Sequence, residues 1–166
     1  MIAVLAGFGF AQKPGTMTIK LYFHTDEPDN KPGDCFKIAL ATRKIPKTTA
    51  VAKAALEELF KGTTKDEEAK NLWSFTVAEM NGILKSLKVK RGAAYVNFNK
   101  VVYQQLGSAT TTCGAGFWGT VEKTLKQFPS IKKVFYAIEG NPKDFYDWIQ
   151  VGECPKELRK CSGKDF

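Results

Sequence analysis

Histidine is almost missing from this 166-residue chain: His24 is the only one. Every mechanism that needs a Ser-His or Cys-His pair must therefore pass through that single side chain. The four cysteines, Cys35, Cys113, Cys154 and Cys161, form no CxxC pair, so the spacing of a zinc site is absent too. Gly114, Gly116 and Gly119 match neither a phosphate loop nor a dinucleotide fingerprint and read as loop and close helix packing. There is no internal repeat and no low-complexity stretch, and the 43% of apolar residues is spread in periodic segments, which excludes a disordered or fibrous chain. The uncharged apolar run Ile2 to Ala11 is too short to span a bilayer, so a membrane-spanning protein is not expected.

That run is expected to be a signal peptide over residues 1–11, with small residues at Gly9-Phe10-Ala11 and a mature chain starting at Gln12. The Lys/Arg-rich start of such leaders is missing, which fits a truncated leader. Leu5-Ala6-Gly7 is followed by Phe8 rather than a lipid-bearing cysteine, so no lipid anchor is predicted. Residues 12–166 are of single-domain size and long enough to bury a core. An even cysteine count in an exported chain points to two disulfides. Of the three possible connectivities, the expected one joins Cys154 to Cys161 in the tail and Cys35 to Cys113 across the domain.

The formal net charge is +8. Lys85, Lys88 and Lys90 lie along one strand with Arg91 beside them, and they are expected to form an outward basic face. Such a face either keeps a strand edge from aggregating or contacts anionic wall polymer, lipid headgroups or an acidic protein surface. Nucleic acid is not an expected partner, because Phe98, Phe117, Trp118 and Phe128 fall at core-facing spacing rather than among the lysines.

Along the chain, Val51, Ala52, Ala55, Leu56, Leu59 and Phe60 recur at helical spacing, with Thr48 or Thr49 as cap and Gly62 as left-handed stop. Asp66, Glu67 and Glu68 are placed to begin a short helix. Leu87 and Val89, a turn at Arg91-Gly92, and Ala94, Val96 and Phe98 make a β-hairpin. Phe117, Trp118, Val121, Leu125 and Phe128 form one helical stripe ended by Pro129, and Ile131 to Glu139 alternates as a strand. After it, Phe145, Tyr146, Trp148 and Ile149 stand close together. They are expected to form a lid on the sheet, or to leave Tyr146 or Trp148 exposed as an anchor for a protein or a sugar ring.

With the opening strand TIKLYF, the helix end ALEELFKG, the hairpin LKSLKVKRGAAYVNFN and the passage TLKQFPSIKKVFYAIEG, this order resembles the GerMN domain of sporulation and spore-germination proteins. Val77 to Leu84 departs from the pattern, having Gly82 but no proline before the hairpin. The resemblance implies an α/β (α+β) fold in which two helices pack on one face of a small mixed β-sheet of three to five strands, similar to ring-building-motif domains. It also implies a non-catalytic, exported domain of the periplasm, cell envelope or extracellular space, working through contacts with an envelope protein or by self-assembly. A basic module for anionic cell-wall polymer or polysaccharide is the alternative. No cofactor and no metal are expected. Asp26, Glu27, Asp29, Asn30 and Asp34 lack EF-hand spacing and read as a solvated turn, while Cys113 before a helix reads as an oxidised residue rather than a nucleophile.

Overall fold

The computed structural model describes residues 15–25, 37–77, 82–107 and 112–166, with the side chains of 112–115 left aside. Residues 1–14 and 26–36 lie outside the described residues. The expected leader, the acidic turn and Cys35 are therefore not placed, and neither is the Cys113 side chain.

Alternation builds the first sheet. In strand β1 (Thr16–Thr25), Ile19, Leu21 and Phe23 point into the core, and in β2 (Ile38–Pro46) Ala41 and Ile45 do the same. The two pair antiparallel without interruption from Thr16 opposite Pro46 to His24 opposite Ile38. The two-residue β3 (Leu72–Trp73) adds to the far end of β1, giving the order β2-β1-β3. The second sheet is mixed. The hairpin of β4 (Leu84–Lys90) and β5 (Ala93–Phe98) is antiparallel, and β6 (Lys133–Ile138) runs parallel to β5. All six residues of β5 are buried, as a strand enclosed on both faces requires. The α/β class expected from the sequence is present, but the single sheet is replaced by two of three strands each.

Helices α1 (Val51–Phe60) and α4 (Thr112–Lys126) pack on each other, and each touches both sheets. Ala55, Leu56, Leu59 and Phe60 form the buried stripe of α1, and Phe117, Val121 and Leu125 that of α4. Short helices α2 (Lys65–Glu68), α3 (Val102–Gln105) and α5 (Pro142–Trp148) fill the connections. Neither threonine caps α1: its N-cap is Ala50, whose N–H donates to Thr48 Oγ1 at 3.1 Å. At the other end Gly62 has φ +76°, and a Cβ there would stand 2.2 Å from the Thr76 carbonyl oxygen, so only glycine fits.

Two long side chains join these pieces. Arg43 on β2 lies 5.3 Å from the Phe23 ring centre and donates to both Glu67 carboxylate oxygens, at 3.0 and 2.6 Å, and to the carbonyls of Glu58 and Gly62, at 2.8 and 2.5 Å. Glu67 in turn closes a capping box with Thr64 at the start of α2. Burial alone would raise the Glu67 carboxyl, but the hydrogen bonds from Arg43 and Thr64 outweigh it and hold the group below its ordinary range. On the other flank of β1, the Gln127 amide grips one residue of the strand. It accepts from the Lys20 N–H at 3.0 Å and donates to the Lys20 carbonyl at 2.7 Å, while Thr124 Oγ1 accepts from the Tyr22 N–H at 3.2 Å. Helix α4 thus stands in for a neighbouring strand along that part of β1.

Candidate functional site

The Arg91-Gly92 turn has φ of +51° and +78°, the double left-handed geometry that matches the twist of a tight hairpin. Around it the four expected basic residues part company. Leu87 and Val89 line a shallow groove with the start of α1. Lys88 and Lys90 point to the opposite face, where Lys88 donates to the Phe166 backbone oxygen and Lys90 pairs with Asp165 beside the Tyr95 ring. Lys85 lies within the register shift between Leu84 and Ser86 and pairs with Glu139. The expected shared outward face is corrected accordingly. Each lysine meets an oxygen of its own chain, Lys85 and Lys90 in ion pairs and Lys88 at a backbone oxygen, while Arg91 has no ion pair among the described residues.

The chain tail makes this possible. Cys154 and Cys161 form the expected disulfide, closing a loop that carries the 3₁₀ turn Lys156–Leu158. Leu158, 3% exposed, plugs the loop into the core. Gly163 lies so close to Gly140 that a Cβ would come within 2.0 Å of its carbonyl oxygen, and the Phe166 ring meets Tyr95 edge-on at 5.4 Å. Between hairpin turn and tail lies a cavity of about 560 Å³ whose lining includes Lys90, Arg91, Tyr95, Glu157, Arg159, Lys164 and Asp165. Lys133 takes up Glu157, and Lys90 takes up Asp165. Both carboxyls are held below their ordinary range, first by those lysine hydrogen bonds, with Arg91 and Lys164 adding to the effect at Asp165. Arg91, Arg159 and Lys164 have no ion pair among the described residues. The arrangement suits a ligand with several anionic oxygens, because three cations converge where the local acids are already matched.

The lid takes its buried form. Asn141 caps α5 by accepting from the Lys143 N–H at 3.0 Å, and Pro142 occupies the first turn. Tyr146 is 6% exposed, which removes it as a surface anchor. Burial pushes its phenol up to about 12, against the opposing pull of a hydrogen bond from the Tyr136 backbone. Trp148 is half-buried, edge-on to Tyr103 at 5.3 Å and to Trp118 at 5.7 Å. Part of its ring is therefore already in use by the protein.

Acid–base chemistry finds little support here. His24 is 1% exposed, stacked on Trp73 at 4.5 Å and met edge-on by Phe75 at 5.1 Å. Among the described residues no three His, Cys, Asp or Glu side chains group as a metal site. Arg159 and Lys164 were not singled out in the sequence. The signal was present in KELRKCSGK, where four cations fall in and just beyond the loop closed by Cys154 and Cys161. Among the described residues no helix is long and apolar enough to cross a membrane.

No curated protein matches the chain in sequence. Among solved structures, the tandem GerMN domains of the sporulation protein GerM from Bacillus subtilis superpose with a TM-score of 0.58 at 20% identity. That match covers 81% of this chain and 43% of that one, so this chain spans less than half the length of the tandem structure. The first GerMN domain of the same protein matches with a TM-score of 0.50 at 21% identity, covering 75% of this chain and 84% of that one. At such identity the likeness establishes the fold. The family model for Germane, sporulation and spore germination, matches residues 20–144, which include most of β1, the other strands of both sheets and both long helices. The chain belongs to the Germane family of sporulation and spore-germination domains.

Proposed function

We propose that this domain is an exported, non-catalytic module that acts at the cell envelope as a scaffold through protein contacts. The observation that carries this reading is the tandem arrangement in the GerM structure, where the same fold is used as a repeated building unit within one chain. The state of the ionisable groups is consistent with it. Glu67, Glu139, Glu157 and Asp165 are all lowered and each is bonded to a cation, so they are held ionised and poorly suited to proton transfer near neutral pH.

A second reading is favoured by the cavity beneath the disulfide loop: Arg91, Arg159 and Lys164 would hold phosphate or carboxylate groups of an anionic wall polymer or polysaccharide. Purified domain incubated with envelope fractions separates the two. Capture that survives digestion of the wall polymer and disappears after protease treatment of the fraction supports the scaffold. Sedimentation with bare wall at low salt that fades at high salt and in Arg91→Glu/Arg159→Glu supports the polymer site. If neither fraction retains the domain, both readings fail.

A further inference from the structure

We propose that the outer edge of β2 accepts an extended acidic segment of a partner protein as an added strand. The proposal rests on the protein-contact reading above and names its surface and its partner's chemistry.

The direction of the backbone groups follows from α4. In an antiparallel strand the N–H and C=O of one residue point to the same edge, and successive residues alternate. Lys20 and Tyr22 turn theirs to Gln127 and Thr124, so Ile19, Leu21 and Phe23 turn theirs to β2. Through the register these face Arg43, Ala41 and Ala39. Leu40, Thr42 and Lys44 therefore direct their N–H and C=O away from the sheet, where no described strand pairs with them. One flank of β1 is closed by side chains of a helix, while among the described residues the flank of β2 is open.

Exposed edges normally carry a device against pairing, such as a bulge, an inward charge or a proline. On the second sheet β4 shows one in the register shift near Leu84 and the lysines tied to the tail. Strand β2 is regular over nine paired positions, and its only proline is the terminal Pro46. Its single inward cation, Arg43, is committed to Glu67 and Glu58. Leu40 is 50% exposed on the outer face.

Charge selects the occupant. Residues 37–47 read KIALATRKIPK, with no acid, and β1 has none either. Lys20, Lys44 and Lys47 have no ion pair among the described residues. A second copy of so basic a chain would bring like charges together along the edge, whereas carboxylates at alternate positions of an added strand would meet Lys44 and Lys20. On the other face the small Ala39 and Ala41 leave room for short apolar side chains to continue the core layer.

The test uses the whole domain and a fluorescein-labelled eight-residue peptide alternating glutamate and valine. Comparison peptides replace glutamate by lysine or N-methylate alternate amides. The acidic peptide is expected to raise anisotropy and slow amide exchange over residues 38–45, with both comparison peptides inactive. Lys44→Glu should weaken binding about tenfold, and Thr42→Pro, which removes an outward N–H, should abolish it. Thermal melts confirm that each variant folds, and if Thr42→Pro does not, Lys44→Glu still decides. Arg91→Glu/Arg159→Glu should bind as the parent does. Equal binding of the lysine peptide, no binding of the acidic one, loss confined to the cavity variant, or light scattering that shows a dimer broken by Thr42→Pro would each overturn the proposal. Capture of envelope protein that persists in both edge variants would reject the edge and keep the scaffold. Peptide binding with no envelope capture at all would do the reverse.

Discussion

Replacing Arg43 with methionine should unfold the domain more readily than the position of an arginine on an edge strand suggests. The guanidinium makes five hydrogen bonds, two to Glu67, two to Glu58 and one to Gly62, and so ties β2 to the end of α1 and to α2. The Arg43 and Glu67 side chains are 13% and 10% exposed, so removing the cation leaves a carboxylate and two carbonyls with little water to replace it. Breaking such a pair from one side costs about 3 kcal/mol, which for a domain of this size is a fall of about 6–12 °C in Tm. Urea unfolding followed by circular dichroism measures it. The sign of the pH dependence is fixed by Glu67. Its folded pKa is below the unfolded one, so its contribution is fully present above the unfolded carboxylate range, about 4.3, and is lost as pH falls through the folded value. The penalty of Arg43→Met should therefore be full at neutral pH and shrink in acid. Glu67→Gln combined with Arg43→Met should cost little more than Arg43→Met alone. A penalty under about 1 kcal/mol at neutral pH, where loss of a surface pair would fall, or one that is the same in acid, would refute the reasoning.

Gly62→Ala forces a Cβ onto the Thr76 carbonyl at positive φ, and equilibrium unfolding should show a loss of more than about 2 kcal/mol. Cys154→Ser/Cys161→Ser opens a loop with a sequence separation of 7, worth about 2.5 kcal/mol by chain entropy, and exchange mass spectrometry should show Lys156 to Phe166 loosening before the hairpin does. In a spectrophotometric titration Tyr146 should stay protonated until about pH 12, and Tyr136 well beyond the ordinary phenol range, unless the fold is lost first, because burial raises both; all five phenols of the chain titrating near 10 would contradict the closed lid.

Elements with strong local periodicity were legible. The hairpin, its Arg91-Gly92 turn, the stripes of α1 and α4, the last strand and the tail disulfide are present where spacing and residue type placed them. Strand β2 was passed over because its inward positions are largely Ala39 and Ala41, which carry a weak apolar signal, while the heavier Leu40 faces solvent. Division into two sheets also escaped, since periodicity says which face of a strand is buried and nothing about which strand lies beside it. The site was read half correctly for a similar reason. Lys88 and Lys90 do stand on one face, but the atoms that accept from them lie 78 and 75 residues away, at Phe166 and Asp165, beyond any local pattern.

Two of the three tryptophans stand beside different sheets and give the protein two optical reporters. Trp73 stacks on His24 in the first sheet, so its emission is sensitive to that imidazole and to the pairing of β1 with β3. Trp118 is ringed by Phe98, Phe117, Tyr136, Phe145 and Trp148 beside the second, a coupled set of chromophores with a strong signature in near-ultraviolet dichroism. With Trp118 and Trp148 replaced by phenylalanine, emission during unfolding follows the first sheet, and the dichroism of the parent chain follows the second. Coincident curves would mean that α1 and α4 bind them into one cooperative unit, and a lag would identify which sheet holds its shape when the other opens to a partner.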